Sequence, residues 1–387
     1  MSLYTQRYGR AFVMTSSTSA GSVTAQAADI ASALRFIGID AIELNVDEAV
    51  STLRSFSQDS YFIVDMNNRA VFDRPLRKFS FILDHPCQVM NSLLDLDRQS
   101  VTLGWVDAGH IDGLAALGFP AHSLFLPHAG PDPAPKPLPM SDRDIDVLFS
   151  GSLGEPVDRA AWLARRTGVP KVLADVIFDT AAAIETTLDP VLNVFAAICS
   201  RHGVRISETF SRDALCTVIG EILGIAEINR RNAVLEALPD LNICIASSYL
   251  PLKLRDRTNI RHQRHVDFSV IRQLMARSKI VLNTTCKFPS GSHERIWYGI
   301  AEGAAILTDA SIFVQKTLKH DDSLFFLPQR KLVPGDLAYL RAFIDDPARL
   351  GAIARNGGEI YARQHTWKRR ISALNDAVQQ QPPRLAA

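Results

Sequence analysis

Between Ser278 and Ala310 the chain reads SKIVLNTTCKFPSGSHERIWYGIAEGAAILTDA, and this order of segments confines it to a sheet covered by helices. Lys279 to Thr284 is a short apolar run with β-branched residues, which favours a buried strand. Pro289, Ser290, Gly291 and Ser292 break that run. Glu294 then opens a segment whose apolar residues Ile296, Trp297, Ile300 and Ala301 recur at helical spacing. Gly303 closes the helix, and Ala305 to Thr308 returns to strand character. A small-residue loop feeding a helix start beside a sheet can present unpaired backbone N–H groups to a phosphate, so a nucleotide-type ligand is the leading expectation.

The same alternation fills the rest of the chain. Ala11–Met14, Ala41–Leu44, Tyr61–Asp65, Lys78–Leu83, Val101–Val106 and His122–Leu126 read as strands, with a helix over about Val23–Phe36 and a small-residue loop from Thr15 to Ser22. Five prolines between Pro131 and Pro139 mark the clearest boundary and predict an extended, solvent-exposed linker. Strands resume at IDVLFSGSLG and continue at Leu241–Ala246, Ile280–Asn283, Ala305–Thr308 and Phe325–Phe326. Helices are expected at Asp158–Thr167, Pro190–His202, Arg212–Leu238, Asp336–Phe343, Pro347–Tyr361 and from Thr366 onward, with a frayed tail. Strands alternating with helices imply largely parallel sheets with helices on both faces. The expected organisation is therefore two Rossmann-like α/β domains facing a central cleft. They comprise residues 1–130 and 145–361, joined by a linker at 131–144 and followed by a terminal segment, 362–387. Ligands of open sheets bind beyond the carboxyl ends of the strands, which directs attention to the loops there.

A chain of 387 residues with 47% hydrophobic and 21% charged residues is an ordinary globular protein. Its formal net charge of +1 argues against a dedicated nucleic-acid binder. The apolar run near the N-terminus is too short for a secretory signal, no stretch approaches the length of a membrane span, and cytoplasmic residence is the default expectation. Cys87, Cys199, Cys216, Cys244 and Cys286 form neither a short-spaced zinc motif nor an even disulfide framework. G-x-G-x-x-G, Walker, H-E-x-x-H and G-x-S-x-G patterns are all absent, which speaks against dinucleotide oxidoreduction, ATP hydrolysis, zinc proteolysis and elbow-type ester hydrolysis.

Three pieces, SKIVLNT at Ser278, HERIWYGIAEGAAILTD at His293 and ARQHTWKRRISAL at Ala362, resemble the GT-B glycosyltransferases, especially their spore-maturation CgeB-like branch and the group 1 family. The resemblance covers about half the chain. It implies a nucleotide-diphosphate sugar donor held by the second domain around the helix opening at Glu294, and an acceptor (glycan, protein or small molecule) held mainly by the first. It also implies a last helix that crosses back to the first domain. No cofactor and no metal are implied, since D-x-D is missing from the strand-exit loops. The chain departs from the wider family at Tyr298, which stands where a carboxylate grips the donor ribose; Glu294 and Glu302 repeat an E-x7-E spacing out of that register.

For the donor, the expected contacts are Ser290, Gly291 and Ser292 to the diphosphate, Glu294 to a ribose or the loop, and Arg295 and Lys287 to phosphate charge. Ser152 in the Gly151–Gly154 turn offers a close backbone approach. Lys253 and Arg255 offer cations on the cleft side, since negative charge on a departing diphosphate is stabilised by positioned cations. Arg261, His262, Arg264 and His265 add positive charge in what reads as the next loop. For an inverting reaction the acceptor hydroxyl needs a base, and His85, Asp107 and His110 follow first-domain strands, with His128 nearby. Each of these residues also has an ordinary role as a cap, turn or surface charge. Two other functions fit the same architecture: a nucleotide-sugar epimerase-like enzyme, or a non-catalytic binding partner in glycan assembly, the latter motivated by Tyr298.

Overall fold

The computed structural model describes residues 8–380 apart from 16–20, 58–59, 71, 73–75, 95–100, 120, 239 and 334. Most of the loop expected after the first strand, and the last seven residues of the expected tail, therefore lie outside the described residues.

The first half alternates β1 (Arg10–Thr15), α1 (Ser22–Phe36), β2 (Asp40–Asn45), α2 (Val46–Leu53), β3 (Tyr61–Met66), β4 (Lys78–Ile82), α3 (Pro86–Leu94), β5 (Val101–Trp105), α4 (Gly109–Ala116) and β6 (Ser123–Phe125). All pairings are parallel, in the order β2-β1-β3-β4-β5-β6. β3, β4 and β5 are buried along their whole length, which is why they read as continuous apolar runs rather than alternating ones.

The chain then enters β7 (Ile145–Ser150) and a block of helices: α5 (Arg159–Ala164), α6 (Lys171–Ile184), α7 (Val191–Arg201), α8 (Ile206–Thr209) and the 26-residue α9 (Arg212–Ala237). The second sheet continues through β8 (Ile243–Ala246), α10 (Leu252–Arg255), β9 (Ile260–Gln263), α11 (Phe268–Ala276), β10 (Ser278–Asn283), α12 (Glu294–Ala301), β11 (Ala305–Thr308), α13 (Ile312–Thr317) and β12 (Phe325–Phe326). Its order is β12-β11-β10-β7-β8-β9, again all parallel. Strand order reverses between β7 and β10, the point where a doubly wound sheet opens a crevice for a ligand. Helices α14 (Tyr339–Ile344), α15 (Pro347–Gln364) and α16 (Trp367–Gln379) end the described chain.

Three features tie the halves together. The helical block shares one apolar core with the first sheet: Trp105, Met90 and Leu114 pack with Ile177, Phe195, Ile219 and Leu223. Helix α16 leaves the second domain and buries Trp367, Ile371, Leu374 and Val378 against Ala11, Val13, Ala27 and Phe81 of the first. At about 1.5–3 kcal/mol for each large apolar side chain buried, that helix is firmly docked. The proline-rich segment is mostly exposed, as expected, yet it is not free: Ala134 N–H donates to the Ala301 carbonyl at 2.8 Å. Arg143, at its end, donates to the carbonyls of Leu138 at 3.0 Å, Ser278 at 2.6 Å and Glu302 at 3.0 Å.

Arg261 and His262, expected in a loop, are instead residues of the strand β9. The polar run IRHQ carries no apolar signal because β9 is a half-buried edge strand.

Candidate active site

A cleft of about 270 Å³ opens between the two sheets, at the carboxyl ends of their strands. The first domain contributes Ser22, Leu83 and Asp84; the second contributes Ser150–Ser152 after β7 and Lys287, Phe288, His293, Glu294 and Arg295 after β10. Phe268 and Ile271 of α11, and Glu227 and Arg231 of α9, complete its wall.

Three cations meet here. Arg231 donates to the Ser152 carbonyl at 2.7 Å and to Glu227 at 2.6 Å, and Lys287 reaches the same carboxylate at 3.2 Å. Arg295 donates to the Asn283 side-chain oxygen at 3.1 Å and reaches His293 Nε2 at 2.8 Å. Burial, and then the neighbouring Arg231, lower Arg295 to about 10, so it stays charged at neutral pH. Burial alone would raise the Glu227 carboxyl, but Arg231, Lys287 and Arg295 more than offset it and hold it below the ordinary value.

Glu294 stands at the first position of α12, where a carboxylate is favoured by the helix dipole. It lies 2.7 Å from His293 Nδ1 and 3.7 Å from Nε2 of His128, on the segment that follows β6. Burial opposes its charge, yet the adjacent His293, His128 and Arg295 win, and the carboxyl lies well below its usual range. Burial pushes His128 down to about 3 and His293 downward as well, so the arrangement at neutral pH is one carboxylate between two neutral imidazoles. Of the donor-side residues singled out from the sequence, Ser152, Lys287, Glu294 and Arg295 are thus brought together.

Others are not. Ser290–Ser292 do not line the cleft; this turn docks onto the first domain. Asp107 and Gly291 form an isolated antiparallel bridge, and Ser290 N–H donates to Asp107 Oδ2 at 2.7 Å. Gly291 is required by that approach, because a Cβ there would lie 2.1 Å from the Val106 carbonyl oxygen. Ser292 is buried and its hydroxyl accepts from the Trp297 indole at 2.9 Å. The expected phosphate cradle is therefore an interdomain clasp. Lys253 and Arg255 also stand outside the cleft: Lys253 is exposed and pairs with Glu236 at 3.2 Å, while Arg255 donates to the Leu250 carbonyl at 2.8 Å and covers Tyr249.

His85, Asp107 and His110 do converge, beside a second cavity of about 260 Å³ adjoining the cleft at Lys287 and lined also by Asp112, Leu192, Leu223 and Cys286. The hydrogen bonds of Asp107 and His85 to backbone N–H groups oppose a role as base for these two. Asp107 is fully buried, and its two oxygens accept from Gly109 N–H at 2.8 Å and Ser290 N–H at 2.7 Å. His85 accepts the Cys87 N–H on Nδ1 at 3.2 Å, so its neutral ring carries the proton on Nε2. His110 Nε2 donates to the Lys287 carbonyl at 2.9 Å, which leaves its lone pair on Nδ1, buried and without a partner. Burial lowers both imidazoles, most strongly His85, and keeps them neutral. Asp107 and His110 hold the loop from Lys287 to Ser290, and His110 keeps an unpaired Nδ1 beside the cavity.

Sequence reasoning missed Glu227 and Arg231. Their signal is an i,i+4 acid–base pair in the polar stretch Glu227–Asn232 that interrupts the apolar run of α9. Tyr298 does not line the cleft: it is buried one turn along α12 from Glu294, behind Phe268, and its hydroxyl donates to Asp29. Among the described residues, no group of three or more His, Cys, Asp or Glu is placed to hold a metal ion, and no helix is long and apolar enough to cross a membrane.

Residues 230–376 match the family model described as glycosyl transferase-like, a span running from the cation-bearing stretch of α9 to α16. No curated protein matches the chain significantly. Among solved structures, Anabaena HepE in complex with UDP and glucose is similar at a TM-score of 0.51 and 11% identity, over 96% of this chain and 99% of that one. AviGT4, a glycosyltransferase involved in avilamycin A biosynthesis, has a TM-score of 0.49 and 9% identity, over 96% and 97% of the two chains. The fold is GT-B, two parallel six-stranded sheets facing a cleft. Carried on it is a glycosyl transferase-like domain, and the class so defined is a GT-B glycosyltransferase.

Proposed function

We propose that the protein moves a sugar from a nucleotide-diphosphate sugar to an acceptor hydroxyl, with the donor lying in the cleft against the second domain. The observation that carries this reading is the convergence of Arg231, Lys287 and Arg295 on the switch point between β7 and β10. A departing diphosphate gains negative charge as the glycosidic bond breaks, and fixed cations in a half-enclosed site stabilise that charge without moving. Ser150–Ser152 and the start of α12 border the same space, the first by close backbone approach, the second by its positive dipole end. Glu294, ionised and held by His293 and His128, is the carboxylate available to the donor's hydroxyl groups, in place of the buried Tyr298.

The adjoining cavity beside His110 and Leu223 is the place for the acceptor, between the first domain and the helical block. The motifs at Ser278, His293 and Ala362 support a finer placement beside the CgeB-like branch. Two working units, 1–130 and 145–361, joined by the linker 131–144 and by the terminal segment 362–387, with the helical block of the second packed on the first, acting in the cytoplasm, complete the proposal. The HepE structure with UDP and glucose supports the choice of donor class.

The reading is tested by incubating the protein with UDP-, GDP-, dTDP- and CMP-sugars, with and without a mixed pool of glycan and small-molecule acceptors, and measuring released nucleotide. Acceptor-dependent release from one donor is expected, and Glu294→Gln should lower it at least tenfold. Interconversion of the free donor without acceptor would favour an epimerase-like enzyme instead.

A further inference from the structure

Glu227 is a puzzle for the donor site just described. A carboxylate on the wall of a diphosphate pocket repels the ligand, yet it occupies the two cations the ligand needs. Its side chain is 12% exposed and lies 2.6 Å from Arg231 and 3.2 Å from Lys287. Arg231 is anchored independently through Ser152, and the Lys287 backbone through His110. Arg231 therefore has a second anchor besides Glu227, and the Lys287 backbone is fixed, while the Lys287 ammonium pairs with Glu227. Arg295, by contrast, is held by neutral acceptors only, Asn283 and His293, and has no carboxylate within ion-pair distance among the described residues.

We infer that Glu227 is a resident counter-anion, which holds Arg231 and Lys287 in the ligand-free protein and yields them to the diphosphate of the donor. Without it, two buried cations would face each other unpaired before the ligand arrives, at a large desolvation and repulsion cost. With it, arriving phosphate oxygens replace one carboxylate, and Glu227 left beside a bound diphosphate adds like-charge repulsion. That repulsion opposes retention of the nucleoside diphosphate product, and the carboxylate recovers its cations when the product leaves. Glu227 thus acts through Arg231 and Lys287 and sets how tightly the spent diphosphate is held. This inference rests on the donor site proposed above.

Inorganic pyrophosphate is a suitable probe, because it reports the diphosphate subsite whatever base and sugar the donor carries. Its affinity would be measured by calorimetry for the wild type, Glu227→Gln, Glu227→Asp and Arg231→Ala, with melting midpoints recorded alongside. The counter-anion role predicts at least tenfold tighter binding for Glu227→Gln, binding near the wild type for Glu227→Asp, and at least tenfold weaker binding for Arg231→Ala. Glu227→Ala also removes the charge and carries the same prediction if the Gln variant does not fold. Unchanged or weaker binding in the charge-removing variant, with Arg231→Ala still impaired, would overturn the role of Glu227 and leave the donor site standing. Absence of pyrophosphate binding in the wild type and in every Glu227 variant would overturn both.

Discussion

The Tyr298 hydroxyl donates to the Asp29 carboxylate, joining α12 of the second domain to α1 of the first. Phe268 packs edge-on against the ring and Arg272 lies over it, so the side chain is built into the domain contact rather than the cleft. Burial raises the Asp29 carboxyl even though the Tyr298 hydrogen bond and Arg272 oppose the rise. Tyr298→Phe should therefore cost about 1.5–3 kcal/mol of stability, the worth of one buried hydrogen bond to a charged group, with donor affinity nearly unchanged. Denaturant unfolding and donor titration together check this; a loss of donor binding at wild-type stability would return Tyr298 to the ligand.

Gly291→Ala places a methyl group against backbone, not against a side chain that can turn away: Val106 O would lie at 2.1 Å and Asp107 Cα at 2.8 Å. The clasp must open to accept it. A destabilisation of about 3 kcal/mol or more is expected, at or beyond the upper end for overpacking, together with weaker donor binding because Lys287 sits on the same loop. Melting midpoint and calorimetry would read both.

Asp107→Asn separates a structural from a chemical role. The amide keeps one acceptor oxygen for two backbone donors, so the variant should lose about 1–3 kcal/mol of stability. Turnover measured well below its melting range should stay within a fewfold of the wild type. A variant of unaltered stability with turnover reduced a hundredfold would make Asp107 the base after all.

Acid stability follows from the buried imidazoles. His128 is held at about 3, against an ordinary value of 6.5 in the unfolded chain, chiefly by burial. The unfolded state then binds the extra proton first, so this residue's contribution is intact above pH 6.5 and is lost as pH falls from 6.5 toward 3. His365, also held at about 3 by burial, acts in the same direction. Replacing His128 by Asn should flatten the loss of melting temperature across that window relative to the wild type. Parallel profiles for the two proteins would contradict the placement of a neutral His128 against Glu294.

Much of the fold was legible because both sheets are parallel and doubly covered, so their strands are plain apolar runs separated by helical periods. β10, α12 and β11 follow the sequence reading to within a residue or two. The edge strand β9 was not legible, since a half-buried edge carries no apolar run. The cleft was legible in part. Lys287, Glu294 and Arg295 could be read because they follow β10 directly, and strand ends are where ligands bind. Arg231 and Glu227 could not, because only the packing of α9 across both sheets brings its middle to the cleft. Ser290–Ser292 misled for a physical reason: a small-residue turn suits close approach by another backbone as well as by a phosphate, and here the backbone is Val106–Asp107.

The most direct test of the account is calorimetric titration of the wild type and Arg231→Ala with UDP-, GDP-, dTDP- and CMP-sugars. Binding of one donor by the wild type, weakened at least tenfold in the variant, is the predicted result. Equal affinity in both proteins would place the diphosphate elsewhere, and no binding of any donor by the folded wild type would contradict the proposed donor site.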